Sequence, residues 1–200
     1  TLRSLSETLN RARKKALVEL NFTAGEWQRQ TEGEWTVAVQ GKTAIVEFPW
    51  GTRSATGARG TLLRRVTLPE SPTGRYYLVF SCSDDYTHAG TPPHAWPGYL
   101  LKQALIDGQV VWEDDVEGDE PMQAQAVCVV DVTAHLQGKK EATVAFQGLE
   151  RRGVSNMGVK ITFGSPALVP GPFDLTSQRG EVPGSTALSP TEALTIFVEF

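Results

Sequence analysis

The chain is poor in the residues that most often carry chemistry. Its 200 residues include only three histidines, two methionines and two cysteines. No histidine spacing matches a known zinc motif. Cys82 and Cys128 both fall inside predicted strands, where cysteine behaves as a small hydrophobe, and they read as buried free thiols. A disulfide between them would need facing strands with Cα atoms about 5.5 Å apart, which sequence does not show. An excess of positive charge is also missing. Nineteen Lys and Arg against 23 Asp and Glu leave a formal charge of -4, small and of the wrong sign for a nucleic-acid partner. No apolar run approaches the ~18 residues of a membrane helix, so nothing here is expected to span a bilayer. Neither a Gly-x-Ser-x-Gly elbow nor a Gly-rich phosphate loop occurs, which removes the familiar hydrolase and nucleotide signatures. There is no internal repeat. Thr1 is not an initiator and no signal-peptide pattern precedes it, so the chain reads as a processed protein or an excised fragment.

What is present is a succession of short strands. The clearest stretch runs from Gly98 to Thr133. Two apolar runs, Leu100 to Ile106 and Gln109 to Val116, meet at Asp107-Gly108. Asp and Gly tolerate the positive φ of a tight primed turn, so this pair predicts an antiparallel hairpin over 98–107 and 109–116. An acidic loop follows from Glu117 to Pro121, then a strand from Ala126 to Thr133 and a turn reading His-Leu-Gln-Gly-Lys-Lys from His135 to Lys140. Alternating patterns predict further strands at Trp35–Val39, Thr43–Phe48, Gly60–Pro69, Gly74–Cys82, Thr143–Gln147, Val159–Gly164 and Thr195–Phe200. About ten short strands separated by turn signals make a sandwich. One helix is expected, over residues 4 to 20. Ser4 and Glu7 form a capping box, and Leu5, Leu9, Ala12, Ala16 and Leu20 recur at helical spacing. Arg11, Arg13, Lys14 and Lys15 lie off that stripe, as a solvated face. The expected organisation is a helix or linker over 1–20 and one sandwich domain over 21–200.

The order of hairpin, polar loop, strand ending Asp131-Val132-Thr133 and the turn after it resembles the galactose-binding-like jelly rolls. Those occur as carbohydrate-binding modules and as accessory β-sandwiches of glycoside hydrolases. The strand pair at Gly60–Pro69 and Gly74–Cys82 adds to the resemblance, with Arg64 or Arg65 at the family's Arg position, and Gly153 to Val159 resembles its return strand. The resemblance covers roughly residues 60 to 169 and departs from the pattern at the long 83–97 segment and at Lys139-Lys140. It implies an all-β jelly-roll sandwich with an N-terminal helix and a non-catalytic module that binds a polysaccharide or oligosaccharide. It also implies a neighbouring catalytic domain in the parent chain, an extracellular or periplasmic setting and a structural calcium. The alternative within the same fold is a structural accessory sandwich with no ligand.

The longest irregular segment, Ser83 to Pro97, is the expected binding loop: a loop of ~15 residues without structure of its own is usually functional or disordered, and Pro92, Pro93 and Pro97 with the embedded Tyr86 and Trp96 favour a stiff, ordered one. Sugars stack their C–H faces on aromatic rings, while their hydroxyls bond to carboxylates, amides and imidazoles. Tyr86, Trp96 and the adjoining Tyr99 are therefore the expected stacking rings, and Asp84, Asp85, His88 and His94 the expected hydroxyl partners. Trp35 and Trp112 lie within strands and read as core; Trp50 lies in a loop, and Trp27 reads as a staple near the helix exit. Glycosidase chemistry needs two carboxylates about 5–10 Å apart. The acids Asp84, Asp85 and Asp114 to Glu120 read instead as solvated charge, and the last group lacks the alternating ligands of an EF-hand. No catalytic residue is expected.

Overall fold

A computed structural model of the chain describes residues 14–23, 25–53, 55–86, 98–116, 125–153, 155–171 and 193–198. The strands are β1 (Val18–Glu19), β2 (Gln28–Glu32), β3 (Thr36–Gln40), β4 (Thr43–Arg53), β5 (Arg59–Thr67), β6 (Tyr76–Asp84), β7 (Leu100–Ile106), β8 (Gln109–Asp115), β9 (Gln125–Asp131), β10 (Glu141–Glu150), β11 (Ser155–Pro170) and β12 (Ala193–Val198), with a short helix α1 (Thr133–Leu136) before β10. They form two antiparallel sheets. The first has the order β12-β9-β6-β11-β4-β3, with β1 added against β11, and the second the order β2-β5-β10-β7-β8.

The sheets close on one apolar core. Phe146 of the second sheet meets Phe80 and Phe163 of the first at 5.2 and 5.1 Å between ring centres, and Phe22 and Trp27 pack on it from the segment before β2. Trp35 and Trp112 are buried as expected, and Trp27 joins the core, its Nε1 donating to Asn21 O at 3.1 Å. Cys82 and Cys128 are buried free thiols. Removal from water pushes the Cys82 thiol up to about 12, so it stays protonated and inert at neutral pH.

The central hairpin forms as the sequence predicts. Ile106 lies opposite Gln109, and Asp107 and Gly108 take φ of 50° and 79°. Asp107 does more than turn the chain: its carboxylate accepts from Lys139 Nζ at 2.7 Å and from Thr143 N at 2.7 Å. The Lys139 bond, then the Thr143 amide, hold this carboxyl below its ordinary value. A depressed carboxyl contributes stability fully above its unfolded value of about 3.9 and loses it as pH falls through the folded one. Asp107→Asn keeps the turn and the acceptor for Thr143 but cannot ionise. Its unfolding free energy should therefore fall less than the wild type's between about pH 6 and about pH 3. Parallel pH slopes in urea titrations of the two proteins would contradict this.

The expected helix does not extend through residues 14 to 20, which form a turn and then β1. Leu17 N and Leu20 N donate to Leu168 O and Pro166 O, so this backbone is held by β11 rather than by its own preceding turn. Leu20 and Phe22, two residues apart, both enter the core, which is strand alternation. The rest of the expected helix lies outside the described residues.

Candidate ligand face of the second sheet

Inward residues of the second sheet alternate with outward ones. On β7, Leu100, Ala104 and Ile106 join the core, so Leu101, Gln103 and Leu105 face away from the first sheet. The same reasoning turns Thr61, Gln147 and Glu113 outward. These stand in direct register: Gln30 opposite Thr61, Thr61 opposite Gln147, Gln147 opposite Gln103, Gln103 opposite Glu113. One straight polar row thus crosses all five strands, about 19 Å at the usual strand spacing.

Most of the row is hydrogen-bonded in sequence. Thr61 Oγ1 donates to Gln147 Oε1 at 3.0 Å, Gln147 Nε2 to Gln103 Oε1 at 2.5 Å, and Gln103 Nε2 to Glu113 Oε2 at 2.6 Å. Arg151, just past β10, closes it with Nη2 at 2.9 Å from both Glu113 oxygens. Thr61, Gln147 and Gln103 are buried, whereas Glu113 and Arg151 reach solvent. A chain of this kind fixes each amide's orientation, so its exposed end is a pre-set donor and acceptor pair. Tyr99 adjoins that end. Its carbonyl accepts from Arg151 N at 2.8 Å, and the Arg152 guanidinium lies 5.7 Å from its ring centre.

The expected loop residues fare differently. Asp84 is the last residue of β6 and is buried, not solvated; its Oδ2 lies 2.9 Å from Lys102 Nζ and its Oδ1 accepts from Tyr86 N at 3.0 Å. Asp85 Oδ1 accepts from Lys160 N at 2.7 Å and pins the end of β6 to β11. The Tyr86 ring is 2 % exposed and packs in the core, so it presents no face to a ligand. Tyr99, just before β7, is half-buried and packs partly against the core. His88, His94 and Trp96 lie outside the described residues. Asp84, Asp85 and Tyr86 thus share one strand end, while Tyr99 belongs with the polar row.

Sequence reasoning passed over Lys102, the inward residue between Leu100 and Ala104. Its Nζ, on a side chain 3 % exposed, sits between Asp84 Oδ2 and Asp114 Oδ2, the latter at 3.1 Å. Burial by itself would lower this ammonium; the charges facing it, the Cys82 thiolate once that thiol ionises at high pH and the Asp114 and Asp84 carboxylates throughout, more than offset that and hold it above its ordinary value. Asp84 and Asp114 are therefore counter-ions to an internal cation, tying one sheet to the other. Next to Asp114, Asp115 Oδ2 accepts from Gly98 N. The chain on both sides of residues 87–97 is thus anchored, Tyr86 through Asp84 of this centre and Gly98 through Asp115 at the end of β8. A lysine in the middle of the apolar run Leu-Leu-Lys-Gln-Ala-Leu-Ile was the signal, because an inward ammonium requires a buried counter-ion. Among the described residues no group of three or more His, Cys, Asp or Glu is placed to hold a metal ion.

No protein-family description matches this sequence, and no curated protein does. Solved structures do match in shape. One, reported as "CBM4 structure and function", is 12% identical over 81% of this chain and 98% of its own, with a TM-score of 0.43. The family 11 carbohydrate-binding module from Clostridium thermocellum in complex with a β-1,3-1,4-mixed-linked tetrasaccharide is 11% identical over 76% of this chain and 94% of its own, with a TM-score of 0.41. SGBP-B from a xyloglucan utilization locus in Bacteroides uniformis is 12% identical over 79% of this chain and 50% of its own, with a TM-score of 0.43.

Proposed function

We propose that this chain is a non-catalytic carbohydrate-binding β-sandwich whose ligand rests on the outer face of the second sheet, at the Tyr99 and Arg151 end. The observation that carries this reading is the polar row from Thr61 to Arg151, which fixes a solvent-reaching carboxylate and guanidinium at a sheet end where Tyr99 O accepts from Arg151 N and the neighbouring Arg152 guanidinium lies over the Tyr99 ring. Hydroxyl pairs on a pyranose match such donors and acceptors, and its C–H face matches the ring. Non-catalytic action fits the fate of the buried acids, since Asp84 and Asp114 are taken up by Lys102. The resemblance of the sequence to jelly-roll modules extends the proposal to a role beside a catalytic domain in an extracellular or periplasmic enzyme. The alternative, a structural sandwich without a ligand, draws on the shielding of Leu101, Leu105 and Ala145 on the same outer face.

Affinity electrophoresis through gels containing β-glucan, xylan, mannan or galactan separates the two readings. A sugar binder should be retarded by at least one gel. Arg151→Ala and Tyr99→Ala should each weaken that binding by about tenfold while leaving the fold intact. Free migration in every gel would leave the structural sandwich standing.

A further inference from the structure

Trp50 is out of step with its own strand. Ala44, Val46 and Phe48 of β4 alternate into the core with no exposure, and the next inward position belongs to Trp50, yet its side chain is 56 % exposed. The strand is bent to achieve this. Pairing with β11 slips twice in this stretch, between Ser155 and Met157 and between Met157 and Val159. Gly51, the residue after Trp50, takes φ of 79°. Opposite, Gly158 allows a backbone approach that no other residue would: a Cβ there would lie 2.5 Å from Trp50 N and 2.7 Å from its Cγ. Thr52 Oγ1 then donates to Pro49 O at 2.6 Å and locks the turn. Bulges of this kind re-aim a side chain, and an indole turned from core to water forgoes its burial energy.

We infer that Trp50 is a stacking platform for a pyranose ring, a subsite on the first sheet separate from the Tyr99 face. The inference rests on the carbohydrate-binding reading above. A single ring flanked by exposed Gly51 and Arg53 is far too small for a protein partner, which needs about 800 Å² per side. It matches one sugar face, with the Arg53 guanidinium close enough in sequence to donate to hydroxyls. The bulge pre-sets the direction in which the side chain leaves the strand.

Trp50 can be read by fluorescence, because Trp27, Trp35 and Trp112 are buried. Cellohexaose, xylohexaose, mannohexaose and laminarihexaose are titrated by calorimetry into the chain with Trp96 intact, and iodide quenching is followed on a Trp96→Phe background for each hexaose that this variant still binds. At least one hexaose should shift the emission to the blue and cut the quenching. Trp50→Ala should abolish that response and weaken calorimetric affinity by about tenfold, and Trp50→Phe should keep part of it. Equal affinity in folded Trp50→Ala, with binding still lost in Tyr99→Ala, would overturn the Trp50 subsite and leave the main reading intact. Binding of no hexaose by either protein, together with free migration in the polysaccharide gels, would overturn both.

Discussion

Lys102→Met should lower the unfolding free energy by about 3–5 kcal/mol, one of the two largest losses expected of any single change in this chain. The loss comes from what stays behind. Asp84 and Asp114 would remain in a largely water-free position without the ammonium that lies 2.9 and 3.1 Å from them. Neutralising a partner as well should recover part of the stability, so Lys102→Met with Asp84→Asn should be less damaged than Lys102→Met alone. The folded pKa of Lys102 is raised, so its contribution is fully present below the unfolded value of about 10.4 and is lost only as pH climbs through the higher folded value. Urea titrations at neutral pH measure the loss. A change below about 1 kcal/mol would mean that the centre is solvated and no clamp at all.

Phe146→Ala should cost a similar amount, about 3–5 kcal/mol, for a different reason. Its ring touches Phe22, Trp27, Phe80 and Phe163, and so joins both sheets and the segment before β2. The cavity left by its removal has little freedom to collapse. Two residues on, Gly148 already lies under the Trp35 ring, where a Cβ would come within 2.4 Å of Cζ3. A typical domain has only about 5–15 kcal/mol of stability, so either variant should show a much lower urea midpoint. A loss under about 1.5 kcal/mol for Phe146→Ala would show that the ring cluster repacks freely.

The strands that the sequence disclosed are those with an apolar run or alternation bounded by a turn signal, including β6 and β7, which are buried on both faces. β4 alternates from Thr43 to Phe48, and Asp107-Gly108 could hardly be anything but a hairpin. β2 was invisible because all of Gln28 to Glu32 is exposed; an edge strand held by backbone bonds to β5 carries no hydrophobic period. The helical spacing from Leu5 to Leu20 misled for residues 14 to 20, since Leu20 and Phe22 fit a strand equally well and β11 offered an open edge. The site was read from loop aromatics, and there burial decided against Tyr86 and Asp84. The polar row could not be seen in the linear order. Thr61, Gln103, Glu113 and Gln147 are unremarkable singly and become one feature only through the register of four strands.

The most direct test is an NMR titration of the isotope-labelled chain with whichever hexaose binds. Sugar seated at the Tyr99 and Arg151 end should move the backbone amides of Tyr99, Arg151 and Arg152 and the side-chain amides of Gln103 and Gln147. The amides around Asp107 and Lys139, at the far end of the sandwich, should stay still. Saturating shifts confined to that far end, or none at the Tyr99 end in the presence of a sugar that binds, would contradict the proposed face.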